Sequence, residues 1–378
     1  MATDNNNKVL NVPNLIFPGF GGEWEREKLR DKCSFYSGGT PSSSNKSYYN
    51  GEIPFIRSGE ISGDSTELFL SEFGLNNSSA KMVDIGDLLL ALYGATSGQI
   101  AISKIRGAIN QAILCIKSSY DNIFLKSVWE KHVDKILQAY LQGGQGNLSA
   151  DIVKNLSFYF PSLDEQNKIS KLIVLIDERI ETQNKIIEDL KKLKVAIRDK
   201  QLNAIRKHYG LNYQICDLLD YEQPTKYVVT DTEYSEDRSK APVLTANKAF
   251  ILGYTNETFG VYDKGKCIIL DDFTLDCKYV DFPFKVKSSA IKILTVKNGY
   301  SLRYVYEYLN YLNLETTEHK RHYISEIEPM MIAYPTDKKK IDDFNNMMSS
   351  LESKIEIENK YLQSLLVQKS YLLSNMFI

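Results

Sequence analysis

The sequence predicts an α+β protein: two tandem mixed α/β domains, each followed by a long helix, with the helices pairing antiparallel as a coiled coil in a pseudo-twofold repeat. Three observations carry this. From Ile169, steps of seven reach Ile176, Gln183, Leu190, Ile197 and Ala204, and from Leu172 they reach Arg179, Ile186, Leu193 and Lys200, an apolar seam broken by polar residues. A second seam closes the chain, with Ile341, Met348, Ile355, Leu362 and Met376 on one step and Phe344, Leu351, Leu365 and Leu372 on the other. Finally, Ile180-Glu181-x-x-Asn184-Lys185 recurs 175 positions later as Ile355-Glu356-x-x-Asn359-Lys360, and Leu190, Lys194 and Ile197 are matched by Leu365, Lys369 and Leu372. A period of that length means whole domains in tandem, because solenoid repeats run about 20–50 residues. The domains are expected at 23–161 and 209–335, the helices at 162–208 and 336–378, with an extended tail over 1–22. The polar pair Gln183 and Glu358 should fix the seam's register.

Composition narrows the class. A chain of 378 residues, 43% hydrophobic, supports two or three cores. Apolar runs such as Leu88–Tyr93 are too short to cross a membrane, and the polar start shows no signal peptide, so a cytoplasmic protein without membrane contact is expected. Five scattered cysteines without a Cys-x-x-Cys pair argue against disulfides and a zinc site. A net charge of −2 neither requires nor excludes nucleic acid, which needs only a local basic surface. The 24 tyrosines serve mostly as core and rim, with some available to bases or phosphates.

Taken in order, residues 13–22 hold two prolines and three glycines, which excludes regular structure before Glu23; a short strand or helical turn begins at Trp24. Strands are expected at Ile53–Arg57, Gly86–Tyr93, Gly98–Ser103 and Ala112–Lys117. The 3.6 spacing of Phe124, Val128, Trp129, Val133, Ile136, Leu137 and Tyr140 predicts a helix over 123–141, stopped at Gly143-Gly144. Leu156–Phe160 is a closing strand, and Pro161 precedes the long helix. The order then repeats. Leu211–Leu218 parallels the Trp24 segment, Ala241–Thr245 parallels Ile53–Arg57, Gly265–Leu270 parallels Gly86–Ala91, and Ala290–Lys297 parallels the 112–117 strand. A helix follows at Leu302–Leu314, Tyr323–Ser325 parallels Asn147–Ser149, and Pro335 takes the place of Pro161.

Catalytic patterns are missing. Gly260-x-x-x-x-Gly265-Lys266-Cys267 lacks the final Ser/Thr of a phosphate loop, and Cys267–Leu270 reads as a strand where that loop requires a helix. The chain contains no Pro-Pro and no Gly-x-Gly-x-x-Gly, so no adenine methyltransferase signature. His319 and His322 lack further metal ligands in pattern, and the Glu-x-Lys triplets of the helices form a solvated face. Two equivalent loops suggest recognition instead. Gly144, Gln145 and Asn147 offer amides, which pair with adenine; His319, Lys320, Arg321 and Tyr323 offer basic and aromatic groups, suited to guanine and phosphates.

Together these residues resemble the specificity subunit of a type I restriction–modification system. The similarity lies in Pro13-x-Leu-x-Phe-Pro-Gly-Phe-x-x-x-Trp24-Glu-x-x-Lys-Leu29, Ile53-Pro-Phe-Ile-Arg-Ser-Gly-Glu-Ile61, Leu92-Tyr-Gly-Ala-Thr-Ser-Gly-Gln-Ile100, Ile109-Asn-Gln-Ala112, Pro161-x-x-x-Glu165-Gln166-x-Lys-Ile169 and Asn375-Met-Phe-Ile378. The resemblance implies a non-catalytic chain whose two domains each read half of a split site in double-stranded DNA. It implies helices that set the gap and dock two methyltransferase subunits, with restriction/translocase subunits joining the complex. S-adenosylmethionine, ATP and Mg would then be bound by those partners and not by this chain. Candidate DNA contacts are Thr40, Arg57, Tyr93, Thr96 and Ser97, together with the two loops. The second domain departs from the pattern, with Asp271-Asp-Phe273 in place of the Tyr-Gly-Ala-Thr loop. Helices of roughly 60 Å can separate half-sites whose centres lie about 34–36 Å apart. The competing reading is a coiled-coil scaffold whose globular domains bind protein.

Overall fold

The computed structural model describes residues 10–141, 147–247, 249–316 and 320–378. The chain divides into two compact units, 1–184 with 360–378, and 185–359. Each unit therefore combines one globular domain with portions of both long helices.

Unit 1 begins with β1 (Glu25–Lys28), α1 (Leu29–Lys32), β2 (Cys33–Ser37), β3 (Tyr49–Ile56), β4 (Phe69–Leu70), α2 (Glu72–Asn76), β5 (Lys81–Val83) and β6 (Leu88–Ala91). It continues with β7 (Ile100–Ile102), β8 (Gly107–Ile109), β9 (Ile113–Ser118), α3 (Asn122–Leu141), α4 (Ala150–Asn155) and β10 (Ser157–Phe160), and the long α5 spans Leu163–Tyr209. One sheet runs β2-β9-β6-β7, all antiparallel; a second runs β4-β3-β8-β5, with β3 and β8 parallel. β1 pairs antiparallel with β10 and ties the start of the domain to the strand before α5.

The continuous apolar run of β6 follows from burial on both faces. Leu88 and Leu90 pack with Phe124, Leu125, Val128 and Trp129 of α3, whereas Leu89 and Ala91 pack with Ile56, Val83 and Ile109 of the second sheet. All four are fully buried, so trimming Leu89 to Ala would cost about 2–5 kcal/mol.

Unit 2 repeats the plan with β11 (Tyr213–Gln214), α6 (Ile215–Leu218), β12 (Leu219–Glu222), β13 (Ala241–Leu244), β14 (Ile251–Thr255), β15 (Cys267–Asp271), β16 (Cys277–Val280), β17 (Lys285–Val286), β18 (Ile291–Val296), α7 (Leu302–Leu312), β19 (Met331–Ile332) and α8 (Lys338–Met376). Its sheets run β12-β18-β15-β16 and β14-β13-β17, with β13 and β17 parallel, and β11 pairs with β19. Ile268 and Leu270 face the cluster containing α7, while Cys267 and Ile269 face Leu244 and Val286. This is the same two-faced burial as in β6.

The helices run antiparallel within each unit. In unit 1, Ile169, Leu172 and Ile173 share a cluster with Leu372 and Met376, and Asp177 pairs with Lys369 further along. In unit 2, Leu202 and Ile205 share a cluster with Ile341, Phe344 and Met348, and Lys194 pairs with Glu352. Ser162 receives the Glu165 and Gln166 amides at the head of α5, and Gly210 at φ +66° follows its last residue, where a residue with Cβ would be strained. Gln183 is buried, and Glu358 pairs with Lys354 at 2.6 Å.

Candidate nucleic-acid interface

The antiparallel order of β2-β9-β6-β7 brings the C-terminal ends of β2 and β6 to one edge with the N-terminal ends of β9 and β7. The parallel pair β3 and β8 ends beside it, because the Asn110 amide donates to the Ile56 carbonyl. Loops 38–41, 92–99, 110–112 and 147–148 therefore converge. Backbone bonds join them: Gly39 N to Ile109 O (3.2 Å), Leu92 N to Ala112 O (2.8 Å), and Leu148 N to Leu92 O (2.9 Å). The approach of the first loop is so tight that a Cβ on Gly38 would lie 1.7 Å from the Ile109 oxygen.

This edge assembles five of the sequence-predicted residues, Thr40, Tyr93, Thr96, Ser97 and Asn147, from three loops. Thr40 and Asn147 are exposed, while Tyr93, Thr96 and Ser97 are half-buried. Burial raises the Tyr93 phenol. The Ser97 hydroxyl is committed to the turn, donating to the Leu92 carbonyl at 2.9 Å. Arg57 lies at the end of β3, but its fork already holds Glu60 at 3.0 and 3.1 Å and Glu67 at 2.5 Å. Bonding to these two carboxylates raises the guanidinium pKa further, so Arg57 braces the 57–67 segment and cannot pair bidentately with a base while so engaged. Burial pushes the Glu60 carboxyl up, but Arg57 and two backbone amides outweigh it and hold the group below its ordinary range.

Gln111, inside the Ile109–Ala112 motif but outside the expected contacts, joins these residues. Gln111 is exposed and accepts the Thr40 hydroxyl through Oε1 at 2.5 Å, on a turn closed by the Ala112 amide donating to Asn110 Oδ1. The signal was a polar pair set between two apolar strands.

The same edge exists in unit 2. Asp272 N donates to Ala290 O (2.8 Å) and His322 N to Asp272 O (3.0 Å), repeating the two bonds of Leu92 and Leu148; Lys287 N donates to Leu244 O (3.0 Å), as Asn110 N does to Ile56 O. These bonds align Arg321 with Asn147 and Tyr323 with Ser149, a shift of two residues from the sequence pairing of Tyr323 with Asn147. The shift removes Tyr323 as a contact: it is 0% exposed, with its ring edge-on to Tyr221. Arg321 and Lys320 are exposed, with Lys320 3.1 Å from Glu326. Phe273 and Lys287 join this edge and were not foreseen. Gly144, Gln145 and His319 lie outside the described residues. The two edges thus differ in chemistry: hydroxyls and amides in unit 1, lysine, arginine and an aromatic ring in unit 2.

Comparison with known proteins bears on both units. Residues 21–192 match the type I restriction modification DNA specificity domain. The Escherichia coli EcoR124I/EcoR124II specificity subunit is 50% identical over 125 residues, 32% of this chain and 31% of that protein, so the match spans about a third of this relative's length. The Methanocaldococcus jannaschii MjaIX specificity subunit is 24% identical over 298 residues, 74% of this chain and 67% of that protein. Among solved structures, the S subunit of a type I restriction-modification system from M. genitalium superposes with a TM-score of 0.62 at 15% identity, covering 97% of this chain and 99% of that one. A chain solved in work on complex assembly and conformational transition of the type I R-M system gives 0.56 at 13% identity over the same shares. At these identities the likeness concerns the fold alone, and it extends through both units.

Proposed function

From the premise that residues 21–192 belong to the type I restriction modification DNA specificity domain family, we propose that the chain is the DNA-recognition subunit of such a system, with one half of a bipartite duplex target read by each domain. The observation that carries this reading is the pair of edges built on one set of backbone bonds but bearing different side chains. Phosphate contacts position a protein on DNA, while base contacts specify sequence, so a constant frame with variable side chains suits two readers of different half-sites.

The chain supplies recognition and docking, and no catalytic step. Exposed apolar side chains on the long helices support a docking role: Leu175, Val367 and Tyr371 in unit 1, and Leu193 and Ile357 in unit 2. Two methyltransferase subunits are the proposed occupants, with restriction/translocase subunits joining through them. S-adenosylmethionine, ATP and Mg act on those subunits, in the cytoplasm. Among the described residues, no helix is long and apolar enough to cross a membrane.

Equilibrium binding of the full chain to a duplex of random sequence, across a salt series, tests this function. The expected result is affinity that falls steeply with salt, on the order of tenfold or more between 50 and 200 mM. Binding that ignores salt, or goes equally to a neutral polymer, would contradict a DNA role and favour a protein scaffold.

A further inference from the structure

Beneath the two edges lies a difference in how they are held. In unit 1, the residue whose carbonyl grips the 147–148 loop is Leu92, and Leu90, two residues before it, faces Leu114 across the sheet. In unit 2, the equivalent positions carry Asp272 and Lys292, each 1% exposed, with Nζ 3.4 Å from Oδ2. A buried ion pair costs desolvation that an apolar pair avoids, and this fold accommodates the apolar pair in its other domain.

The carboxylate does more than neutralise Lys292. Asp272 Oδ1 accepts the backbone amides of His322 (3.1 Å) and Tyr323 (2.7 Å), and the Asp272 carbonyl also accepts the His322 amide (3.0 Å). The imidazole of His322 is clamped as well, with Nε2 2.8 Å from Thr316 Oγ1 and Nδ1 2.9 Å from Glu326 Oε2. The residue before this anchored pair is Arg321, whose guanidinium lies 5.9 Å from the centroid of the Phe273 ring, and Phe273 directly follows Asp272. The Phe273 and Thr274 amides are in turn fixed on Asp271 Oδ1 at 2.9 and 3.0 Å. Buried Asp272 therefore sets the segment that carries the arginine, and its neighbour Asp271 sets the ring beneath it.

An exposed arginine resting on an aromatic face keeps its planar fork extended with its edge donors outward. That fork matches the N7 and O6 acceptors of guanine in the major groove, the commonest specific protein–base contact. We propose that Arg321, seated on Phe273, reads a guanine in the second half-site, and that Asp272 is the positioning residue for this contact. The inference rests on the DNA-recognition reading above.

Selection of duplexes from a fully randomised library by the full-length chain provides the test. Wild type is expected to enrich guanine about ten- to a hundredfold at one position of the second half-site. R321A should abolish that preference and leave the first half-site unchanged, and F273L should weaken it several-fold. D272L/K292L, which installs the leucines of unit 1, should fold by thermal melt yet lose the guanine preference. D272N/K292M keeps the Oδ1 acceptor without either charge and should retain it, which a merely structural role for the charged pair would not predict. If D272L/K292L does not fold, R321A and F273L decide alone, since neither residue belongs to the buried core. The proposal is overturned by R321A retaining the preference, by R321A losing affinity equally for every sequence, or by folded D272L/K292L reading guanine like wild type. A wild-type chain that selects no sequence overturns the recognition reading itself, a different outcome from these.

Discussion

Lys369 Nζ lies 2.8 Å from Asp177 Oδ1, joining α8 to α5 inside unit 1, and reaches Glu130 of α3 at 3.4 Å. Lys126, one helical turn before Glu130, holds Glu130 at 2.6 Å and Asp177 at 3.9 Å. Unit 2 contains the same four-membered network from equivalent residues. Lys194 lies 3.1 Å from Glu307 and 3.7 Å from Glu352, and Arg303 pairs with both of those carboxylates. In each unit one network locks a domain helix to both long helices.

Lys369→Ala should lower the stability of unit 1 by about 1–2 kcal/mol, because Glu130 and Asp177 then share Lys126 alone. Lys194→Met should cost more, about 2–3 kcal/mol, since Glu307 is 1% exposed. Urea unfolding midpoints measure both. Equal, negligible losses would mean that the apolar seam sets the register alone.

Gly38→Ala should displace the 38–41 loop, because its methyl group would occupy the Ile109 carbonyl. The expected loss is more than about 2 kcal/mol, accompanied by weakened reading of the first half-site. Gly21→Ala, with nothing within 4 Å of its Cβ, is the control and should be close to neutral. Thermal melts and binding to a fixed duplex distinguish them.

Arg57→Ala should reduce affinity modestly and by the same factor for every duplex, since its guanidinium is committed to Glu60 and Glu67. Competition between cognate and mismatched duplexes measures this. A change in base preference would show that Arg57 leaves its carboxylates on binding.

Acid should destabilise unit 1 through His132. Burial lowers its pKa, against a bond between Nε2 and the Ile378 oxygen at 2.9 Å that raises it, and Lys131 and Lys135 lower it further. The unfolded chain takes up the proton near pH 6.5, the folded chain only at lower pH. The contribution of neutral His132 is therefore present above about pH 6.5 and is lost as pH falls through the folded value. His132→Gln should flatten the stability slope below about pH 6.5, and unfolding at several pH values would detect it.

Much of this architecture was legible from pattern. The heptads and the repeated Asn-Lys register located both helices, and α5 ends at Tyr209, one residue beyond the expected 208. β6, β9 and α3 stood out through runs of apolar residues that two covered faces require. Short strands such as β5 and β8, three residues each, carry too little periodicity to be read alone, and they exist because β3 and its neighbours supply pairing partners. The site was harder. Tyr323 and Arg57 looked like readers because their types suit bases, but exposure and ion pairing are tertiary properties. The Asp272–Lys292 pair was invisible for the same reason, since its partners are 20 positions apart and meet only across β15 and β18.

Exchange of residues 211–335 for the equivalent segment of a known specificity subunit tests the central claim most directly, read by the set of DNA sites methylated when the chain is combined with type I methyltransferase subunits. The account predicts a split site in which the first half is unchanged and the second half is replaced. A methylated site that stays whole after the exchange, or changes in both halves, would contradict the assignment of one reader to each domain.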